Sequence, residues 1–562
     1  MENDQGSRFT WTIILAATFV MIVLLSVNLG VNDLAGGDEG YYGVMARNIL
    51  HHPRYIVNPS LSPLGPPGDK PFLYPMVLAG ALAAGGIGEV PMRLVTLIFA
   101  AVSGILLMLI GSELGSRRAG LFAGLMYLFT PLLANTGRVV GAEPLLVALS
   151  LAGVWLVLVA IKRSKPGFGF IAGALFGLAF LTKLWLVAIP AAGVAGGIVY
   201  FRFSRMNRPV VKTAGSVLAG FLILGSLQLL LCLLFSPDTF RHWLGIYTGF
   251  SLADRVAGRT FADYWHRPWN FYLLLAGRSF GQWLILVPLG VMTVLRRRRD
   301  SAAAAILLMW LLPLAAMSMI SVKSGNYMLP VMPALYLLAG FGAAALTDRV
   351  RGEIFPLRDA ILLAAAGMIL CLAVQLDFSG QTLRLYSANM LRIQIVITAA
   401  VISSALPHIT RRTAAVYTTV AVVIAMAGGL ARDIQIVRSR NHVTGYREAA
   451  DALAPGLENI DPRRPCFISP EWPSMSFYTF RTGRYWESPY MDADPEAAIN
   501  SLEGAPFFYV IQYDDRLYGG IPDEDVLEVI EREAFPFEPG DGRISIYVNE
   551  ALRELLPHGI VP

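Results

Sequence analysis

Long apolar stretches separated by short polar segments dominate the chain up to residue 431. A helix needs about 20 apolar residues to cross the hydrocarbon core of a bilayer. Stretches close to that length occur at 11–30, 93–112, 119–136, 144–161, 168–182, 184–201, 213–235, 271–295, 302–321, 326–346, 359–376, 391–407 and 414–431. The pattern therefore predicts a polytopic α-helical membrane protein with about thirteen transmembrane helices.

A further apolar stretch at 72–86 is short and is interrupted by Pro75. The basic loops decide whether it spans, because Lys and Arg concentrate on the cytoplasmic side. With thirteen spans and a cytoplasmic N-terminus, every basic loop falls inside; these loops are 117–118, 162–165, 202–212, 296–299, 349–358 and 411–412. Residues 72–86 are therefore predicted to form an interfacial or re-entrant helix on the outer face. The alternative has fourteen spans and an external N-terminus, and it moves Asp38 and Glu39 to the cytoplasm.

This topology leaves a large loop at 31–92 on the outer face and places the tail from residue 432 on the same side. The tail alternates β-like runs at 507–511 and 544–548 with helical patterns at 445–454, 494–502 and 523–533. Its length is sufficient to bury a core of its own. We therefore predict a transmembrane domain at 1–431 and an extracytoplasmic α/β domain at 432–562.

Composition narrows the class of protein further. A hydrophobic fraction of 55% against 15% charged residues, with a mean hydropathy of +0.55, excludes an ordinary soluble domain. The 3 cysteines exclude a disulfide framework. Loop arginines that orient the helices account for the net charge of +5, so no nucleic-acid partner is predicted.

Polar residues collect at the ends of the predicted spans on the outer face. They are Asp38, Glu39, Tyr42 and Lys70 in the first loop, Arg138 and Glu143 around the second, Lys183 after an outgoing span, Arg255, Arg259 and His266 in the 236–270 loop, and Lys323 and Tyr327 beyond it. Cations hold a phosphate by charge-assisted hydrogen bonds, and a carboxylate can accept the proton of an attacking hydroxyl. The set suits a lipid-linked phosphate substrate handled at the membrane surface.

Five segments occur in an order that resembles a known superfamily. They are Asp38-Glu39, Lys70-Pro71-Phe72-Leu73-Tyr74, Arg138 to Glu143, Leu181-Thr182-Lys183, and Lys323 to Leu335. At these residues the chain resembles the GT-C glycosyltransferases, in particular the ArnT-like and protein O-mannosyltransferase families. In the tail, 473–478 is similar to a segment of the soluble domain of the same families.

The resemblance implies a GT-C fold and a sugar transfer at the outer face of the bacterial cytoplasmic (inner) membrane. The donor would be a polyprenyl-phosphate-linked sugar, and the acceptor lipid A, a cell-envelope glycan or a protein. The implied catalytic residues are Asp38, Glu39 and Glu143; the implied donor-phosphate ligands are Lys70, Lys183, Arg259, Arg255, Lys323 and Tyr327; further candidates are Tyr42, Arg138 and His266. The chain departs from the aminoarabinose transferases at Tyr41, where they carry Arg, so the donor sugar stays open.

Several alternatives remain open at this stage. A multi-span transporter or flippase of a lipid-linked glycan would need no transferase chemistry, although the chain shows no paired halves. Glu39 is also suited to stabilise a helix N-terminus, and Glu143 to pair with Arg138. Arg255 and Arg259 compete for one phosphate-binding role. No cofactor is required by the pattern, and a divalent metal ion between Asp38 and Glu143 is left open.

Overall fold

The protein is described here from a computed structural model. The described residues are 2–34, 37–57, 59–60, 70–204, 208–247, 268–280, 283–297, 302–319, 323–348, 362, 365–369, 372, 376–379, 382–385, 394–399, 411–439, 445–458, 460–461, 465–468, 472–479, 482–484, 506–512, 535–537 and 544–556. Most of these residues are helical.

The first half of the chain is a succession of helices. They are α1 (Glu2–Ser26), α2 (Asp38–His51), α3 (Leu73–Gly85), α4 (Glu89–Glu113), α5 (Arg117–Leu128), α6 (Pro131–Gly137), α7 (Glu143–Arg163), α8 (Pro166–Lys183), α9 (Ala188–Ser204), α10 (Arg208–Gly225), α11 (Leu227–Phe235) and α12 (Pro237–Tyr247). Short 3₁₀ helices at Pro53–Ile56 and Leu184–Val187 join some of them.

Helices continue through the rest of the membrane region, and strands follow. The helices are α13 (Phe271–Phe280), α14 (Leu286–Arg297), α15 (Ala302–Met309), α16 (Leu312–Met319), α17 (Met332–Asp348), α18 (Arg411–Ser439), α19 (Tyr446–Leu457), α20 (Trp472–Thr479) and α21 (Glu550–Arg553). The strands are β1 (Leu376–Ser379), β2 (Thr382–Leu385), β3 (Pro465–Ile468), β4 (Thr482–Arg484), β5 (Phe508–Gln512), β6 (Phe535–Phe537) and β7 (Ile544–Val548).

Within the described part of the chain, 6 helical segments are long and apolar enough to cross a bilayer, or 7 if α5 and α6 together form one span. They are Arg8–Ser26, Glu89–Glu113, Glu143–Arg163, Pro166–Ile198, Val210–Phe235 and Val416–Arg438. The chain is a membrane protein, as its apolar pattern predicts. The full count of about thirteen spans stays a prediction.

Several predicted spans are helices with a break inside them. The span predicted at 119–136 consists of α5 and α6, which meet at an angle of 58°. Thr130 is extended there, and Pro131 begins the second helix because a proline is accommodated in a first helical turn. Residues 72–86 form the short helix α3, separate from α4. An antiparallel β1–β2 hairpin follows the predicted span 359–376, and the sequence analysis contained no strand there.

Glycines let neighbouring helices approach closely, as is common in membrane bundles. A Cβ atom on Gly173 of α8 would lie 1.9 Å from the Val217 carbonyl oxygen of α10. In return, a Cβ on Gly220 of α10 would lie 2.1 Å from the Phe170 carbonyl oxygen of α8. Only glycine fits at such a contact, so these two positions fix the separation of the two helices.

The C-terminal strands form a five-stranded mixed sheet in the order β4-β3-β5-β7-β6. Strand β3 pairs in parallel with β4 and β5, whereas β7 pairs antiparallel with β5 and β6. The rings of Phe467 and Phe508 stack 4.9 Å apart on neighbouring strands. Tyr446 and Leu453 of α19 are buried against this sheet. The boundary of a separate domain at residue 432 stays a prediction.

Candidate active site

The adjacent acids Asp38 and Glu39 occupy the first turn of α2, directly after Gly37. Gly37 has a φ of 72°, a conformation that glycine adopts without steric cost. Successive helical residues are turned by about 100°, so the two carboxylates leave the helix in different directions. They therefore enter two different ionic contacts.

Asp38 meets a lysine and a second carboxylate that come from distant parts of the chain. Lys183 Nζ donates a hydrogen bond of 2.7 Å to Asp38 Oδ2 and one of 2.5 Å to Glu143 Oε1. Glu143 begins α7, and Lys183 is the last residue of α8. The backbone leaves the helix directly afterwards, where Leu184 adopts a φ of 42°. The sequence predicted Lys183 at the donor phosphate; the structure places its ammonium between two carboxylates.

Lys70 approaches Asp38 from a later part of the same segment, residues 31–92. Its Nζ lies 3.8 Å from Asp38 Oδ1 and 5.9 Å from the centre of the Tyr41 ring. The side chain of Asp38 is 33% exposed and that of Lys70 is 21% exposed, whereas that of Glu143 is 3% exposed. Asp38 is thus the most exposed side chain of the group, Lys70 is partly exposed, and Glu143 is buried.

Glu39 is held by a residue to which the sequence analysis assigned no role. Arg93, at the start of α4, donates to Glu39 Oε1 at 3.0 Å and to Glu39 Oε2 at 2.9 Å, a bidentate pair. The Val140 N–H also donates to Glu39 Oε1, at 2.6 Å. Both members of the ion pair are buried. This geometry fits a positioning role for Glu39 better than direct catalysis. In the sequence, the signal that could have pointed to Arg93 was an arginine at the end of an apolar span.

Arg138 binds backbone carbonyl groups, whereas its sequence neighbourhood suggested Glu143 as the partner. Its Nη1 donates to the carbonyl oxygens of Leu25 at 2.5 Å and Val27 at 2.7 Å. These carbonyls end helix α1 and the turn after it, where helical oxygens lack intrahelical partners. Pairing of Arg138 with Glu143 was one expectation from the sequence; in the structure Lys183 is the cation on Glu143.

Tyr42 stands one helical turn after Asp38, on the same face of α2. It is fully buried, and its ring meets that of Tyr74 edge to face at 4.9 Å. Burial raises the pKa of Tyr42 well above its ordinary value, although the nearby Lys183 opposes this shift, so the phenol keeps its proton. Among the described residues, no hydrogen-bond partner reaches its buried Oη.

The remaining predicted site residues divide into two groups. Arg255, Arg259 and His266 lie outside the described residues. Lys323 is buried just before the 3₁₀ helix Gly325–Met328, and burial lowers its pKa. Tyr327 belongs to that 3₁₀ helix and packs against the main apolar core. Their part in donor binding stays a prediction.

The C-terminal region contacts the 31–92 segment through polar side chains. Asp33 Oδ2 accepts hydrogen bonds of 3.0 Å from the N–H groups of both Gly445 and Tyr446. Glu89 Oε1 lies 2.6 Å from Arg447 Nη2 and accepts a hydrogen bond from the Tyr478 hydroxyl. These contacts fasten α19 and α20 to the segments that flank α2.

Helix α20 also packs directly against the helix that carries Asp38. Phe477 of α20 is buried in one apolar cluster with Tyr42, Val44 and Tyr74. A Cβ atom on Gly43 of α2 would lie 3.2 Å from the Phe477 ring, so this glycine allows the two helices to touch. The C-terminal region therefore supports the active-site helix.

The described residues contain no group of three or more His, Cys, Asp and Glu side chains arranged to hold a metal ion. Asp38 and Glu143, the pair considered for a metal, share the ammonium of Lys183 instead. The chemistry that this arrangement permits is proton acceptance by an accessible carboxylate beside an accessible cation.

Comparison with known proteins finds similarity over the part of the chain that contains most of this site. Residues 69–232 match a family model described as dolichyl-phosphate-mannose-protein mannosyltransferase. The match contains Lys70, Glu143 and Lys183, and Asp38 precedes it. The chain is 26% identical over 372 residues to undecaprenyl phosphate-alpha-4-amino-4-deoxy-L-arabinose arabinosyl transferase 1 of Pseudomonas fluorescens, covering 64% of this chain and 63% of that protein.

A second relative is the corresponding transferase of Pseudomonas aeruginosa, 28% identical over 316 residues, covering 54% of this chain and 55% of that one. The chain thus spans less than two thirds of the length of either curated relative. The structure of ArnT from Cupriavidus metallidurans bound to undecaprenyl phosphate superposes with a TM-score of 0.63 at 17% identity, covering 98% of this chain and 99% of that one. These comparisons confirm the predicted resemblance to GT-C glycosyltransferases of ArnT type, in sequence over part of the chain and in fold over nearly all of it.

Proposed function

We propose that the protein is an integral-membrane glycosyltransferase that moves a sugar from a polyprenyl-phosphate donor to an acceptor hydroxyl or phosphate. One observation carries the proposal: Lys70, from the far end of the first outer loop, lies 3.8 Å from the accessible carboxylate of Asp38. A phosphate ligand and a proton acceptor are thus adjacent. Support also comes from the relatives, which are named as undecaprenyl-phosphate aminoarabinose transferases.

In the proposed reaction, the acceptor oxygen attacks the anomeric carbon while the bond from that carbon to the phosphate oxygen breaks. Asp38 takes up the proton of an attacking hydroxyl. Lys70 stabilises the negative charge on the departing polyprenyl phosphate, and such electrostatic stabilisation is commonly the largest catalytic contribution. Tyr42 keeps its hydroxyl proton and can donate a hydrogen bond to a sugar or phosphate oxygen.

The proposal extends to topology and location. We propose a protein of the bacterial inner membrane with thirteen spans and a cytoplasmic N-terminus. Its α/β domain at 432–562 would then be extracytoplasmic. The contacts of Asp33 and Glu89 with the C-terminal region support placing that region on the same side as the 31–92 loop. Lipid A, a cell-envelope glycan and a protein remain the three acceptor classes.

The substitution Asp38→Asn tests the chemistry, because it keeps the shape of the side chain and removes its charge. We expect transfer to fall roughly 10²–10⁴-fold, the usual contribution of a general base. A matched control is Glu113→Gln, since that carboxylate pairs with Lys162 at 3.0 Å outside the site. Transfer is followed by mass spectrometry of envelope lipids and glycans from cells with the gene, without it and with each variant. Undiminished transfer in Asp38→Asn would remove Asp38 from the mechanism.

Product analysis in cells and in a purified system also distinguishes a transferase from a flippase. A transferase leaves a glycosylated product that disappears when the gene is removed. A flippase would leave no product of its own in a purified system. Detergent-solubilised protein mixed with polyprenyl-phosphate sugar and an envelope-lipid acceptor should therefore release free polyprenyl phosphate, and its failure to do so with every acceptor class would favour the flippase.

A further inference from the structure

The contact at the centre of the site consists of one ammonium between two carboxylates. Lys183 Nζ is 2.7 Å from Asp38 Oδ2 and 2.5 Å from Glu143 Oε1. The two acids come from separate elements, α2 and α7, and both face the same nitrogen. Two carboxylates this close repel each other unless a cation lies between them.

The surroundings show that this cation is part of the fold and not a surface contact. The side chain of Lys183 is 17% exposed and that of Glu143 is 3% exposed. Lys183 stands at the end of α8, where the positive φ of Leu184 stops the helix. Gly141 lies close to the carboxylate of Glu143. A Cβ atom at position 141 would lie 3.1 Å from Glu143 Oε2, so a larger residue there would press against this carboxylate. The protein therefore positions all three groups.

We propose that the Lys183 ammonium takes the place of a divalent metal ion between Asp38 and Glu143, so that the site works without a metal and removal of the ammonium creates a metal site. The catalytic meaning of this inference rests on the proposed function. The ammonium holds the Asp38 carboxylate in place, which a bound metal would also do. Lys183 is thus a positioning residue that acts through Asp38.

The ligand set supports the choice of ammonium over metal. Mg²⁺ and Mn²⁺ favour carboxylate oxygens and keep water in their remaining positions. In the protein as it stands, both carboxylates already bond to Lys183, and the described residues provide no third acidic or imidazole ligand in a group with them. If the ammonium is removed, Asp38 Oδ2 and Glu143 Oε1 still face the space that it occupied, and a metal ion could bind there.

Manganese titration tests the inference without any sugar donor. Free Mn²⁺ is measured by electron paramagnetic resonance in detergent-solubilised wild type, Lys183→Met and the double variant Lys183→Met/Glu143→Gln. We expect Lys183→Met to bind one Mn²⁺ at least about tenfold more tightly than wild type, because Asp38 and Glu143 lose the ammonium that they share. The double variant should lose that binding. Equal Mn²⁺ binding by wild type and a folded Lys183→Met would overturn the inference.

The matched control is Lys162→Met, which removes the ammonium from the more exposed pair with Glu113 and should gain no comparable site. Thermal unfolding shows whether each variant is folded. Should Lys183→Met not fold, wild type and Glu143→Gln decide the question. If wild type binds Mn²⁺ and Glu143→Gln abolishes that binding, the inference is overturned. If wild type shows no Mn²⁺ binding that depends on Glu143, the inference is supported.

Chelation provides the second readout. Transfer by the wild-type protein should be unchanged by excess EDTA and by later addition of Mg²⁺ or Mn²⁺. Activity that vanishes with EDTA and returns with Mn²⁺ would contradict the inference while leaving the proposed function intact. If no transfer is detected under any condition, the proposed function fails, and the Mn²⁺ titration still reports on Lys183.

Discussion

At the scale of single residues, Asp38 and Glu143 carry the same charge in different surroundings. The side chain of Asp38 is 33% exposed and that of Glu143 is 3% exposed. An accessible carboxylate can meet an acceptor, whereas a buried one that is bonded to Lys183 fixes geometry. The exposure of the two side chains supports the proposed proton acceptance by Asp38, and Glu143 anchors Lys183. Glu39 anchors α2 by a comparable pair with Arg93.

Lys70→Ala is expected to weaken donor binding. A hydrogen bond to a charged group contributes about 1.5–3 kcal/mol, so affinity for a polyprenyl-phosphate sugar should fall on the order of tenfold to a hundredfold. The kcat should also fall if the contact strengthens as the phosphate departs. Lys70→Arg should restore only part of the affinity, because a planar guanidinium does not reproduce a compact ammonium.

Donor titration in nanodiscs measures the effect of Lys70→Ala, with Lys162→Met as a control that removes a lysine outside the site. Unchanged affinity and unchanged turnover in Lys70→Ala would remove Lys70 from the donor site. Its position 3.8 Å from Asp38 would then be structural.

Tyr42→Phe should separate stability from activity. The Tyr42 hydroxyl is buried without a hydrogen-bond partner among the described residues, so its removal abolishes an unsatisfied group. The apparent Tm should stay level or rise, since such a group costs about 1–3 kcal/mol. Transfer should fall, because the hydroxyl is then no longer available to a substrate oxygen. Thermal unfolding and transfer are measured on the same preparation, and a variant with full activity would show that the hydroxyl contacts no substrate.

At the scale of elements, helix α8 connects membrane packing to the site. Its middle packs tightly on α10 through Gly173, and its last residue is Lys183. A helix is stiff along its axis, so its contact with α10 also fixes where Lys183 lies. Leu184, with a φ of 42°, ends α8, and the 3₁₀ helix Leu184–Val187 leads into α9.

Gly173→Ala should therefore destabilise the protein. The new methyl group would lie 1.9 Å from the Val217 carbonyl oxygen, so the two helices must separate, and overpacking of this kind costs about 1–3 kcal/mol. Gly167→Ala on the same helix is the matched control, because nothing lies within 4 Å of a Cβ at that position. The apparent Tm in detergent should fall for Gly173→Ala and stay level for Gly167→Ala. Equal values would mean that α8 and α10 adjust freely.

At the scale of the whole molecule, residues more than 350 positions apart meet beside helix α2. Asp33 and Glu89 flank α2 in the chain, and both contact the C-terminal region, through Gly445 and Arg447 respectively. Phe477 packs against α2 itself. The C-terminal region thus contributes to the position of Asp38.

Reporter fusions test the topology of the whole chain. Fusions at Gly167, Arg299 and Thr410 should report the cytoplasm, because basic loops stay on that side. Fusions after Arg432 should report the exterior, together with the 31–92 loop that the C-terminal region contacts. An external signal at Arg299 would contradict the count of thirteen spans and the shared outer face.

Sequence alone determined the class of protein and the motifs that contain the candidate site residues. Apolar length identifies membrane helices because a bilayer core has a fixed thickness, and this local property needs no tertiary contact. The motifs containing Asp38, Lys70, Glu143 and Lys183 were each readable in the chain. A short helix at 72–86 was also predicted, because a full span there would move every basic loop to the outer side when the N-terminus is cytoplasmic.

Only the tertiary structure decided which charge meets which. Arg138 and Glu143 are close in sequence, but Arg138 bonds to the end of α1 and Glu143 bonds to Lys183. Arg93 resembled an ordinary span-end residue until its bidentate pair with Glu39 was visible. Ionic partners are set by how helices pack and where they break, and these depend on contacts between residues far apart in the chain. The local sequence pattern does not indicate which of these distant residues come into contact.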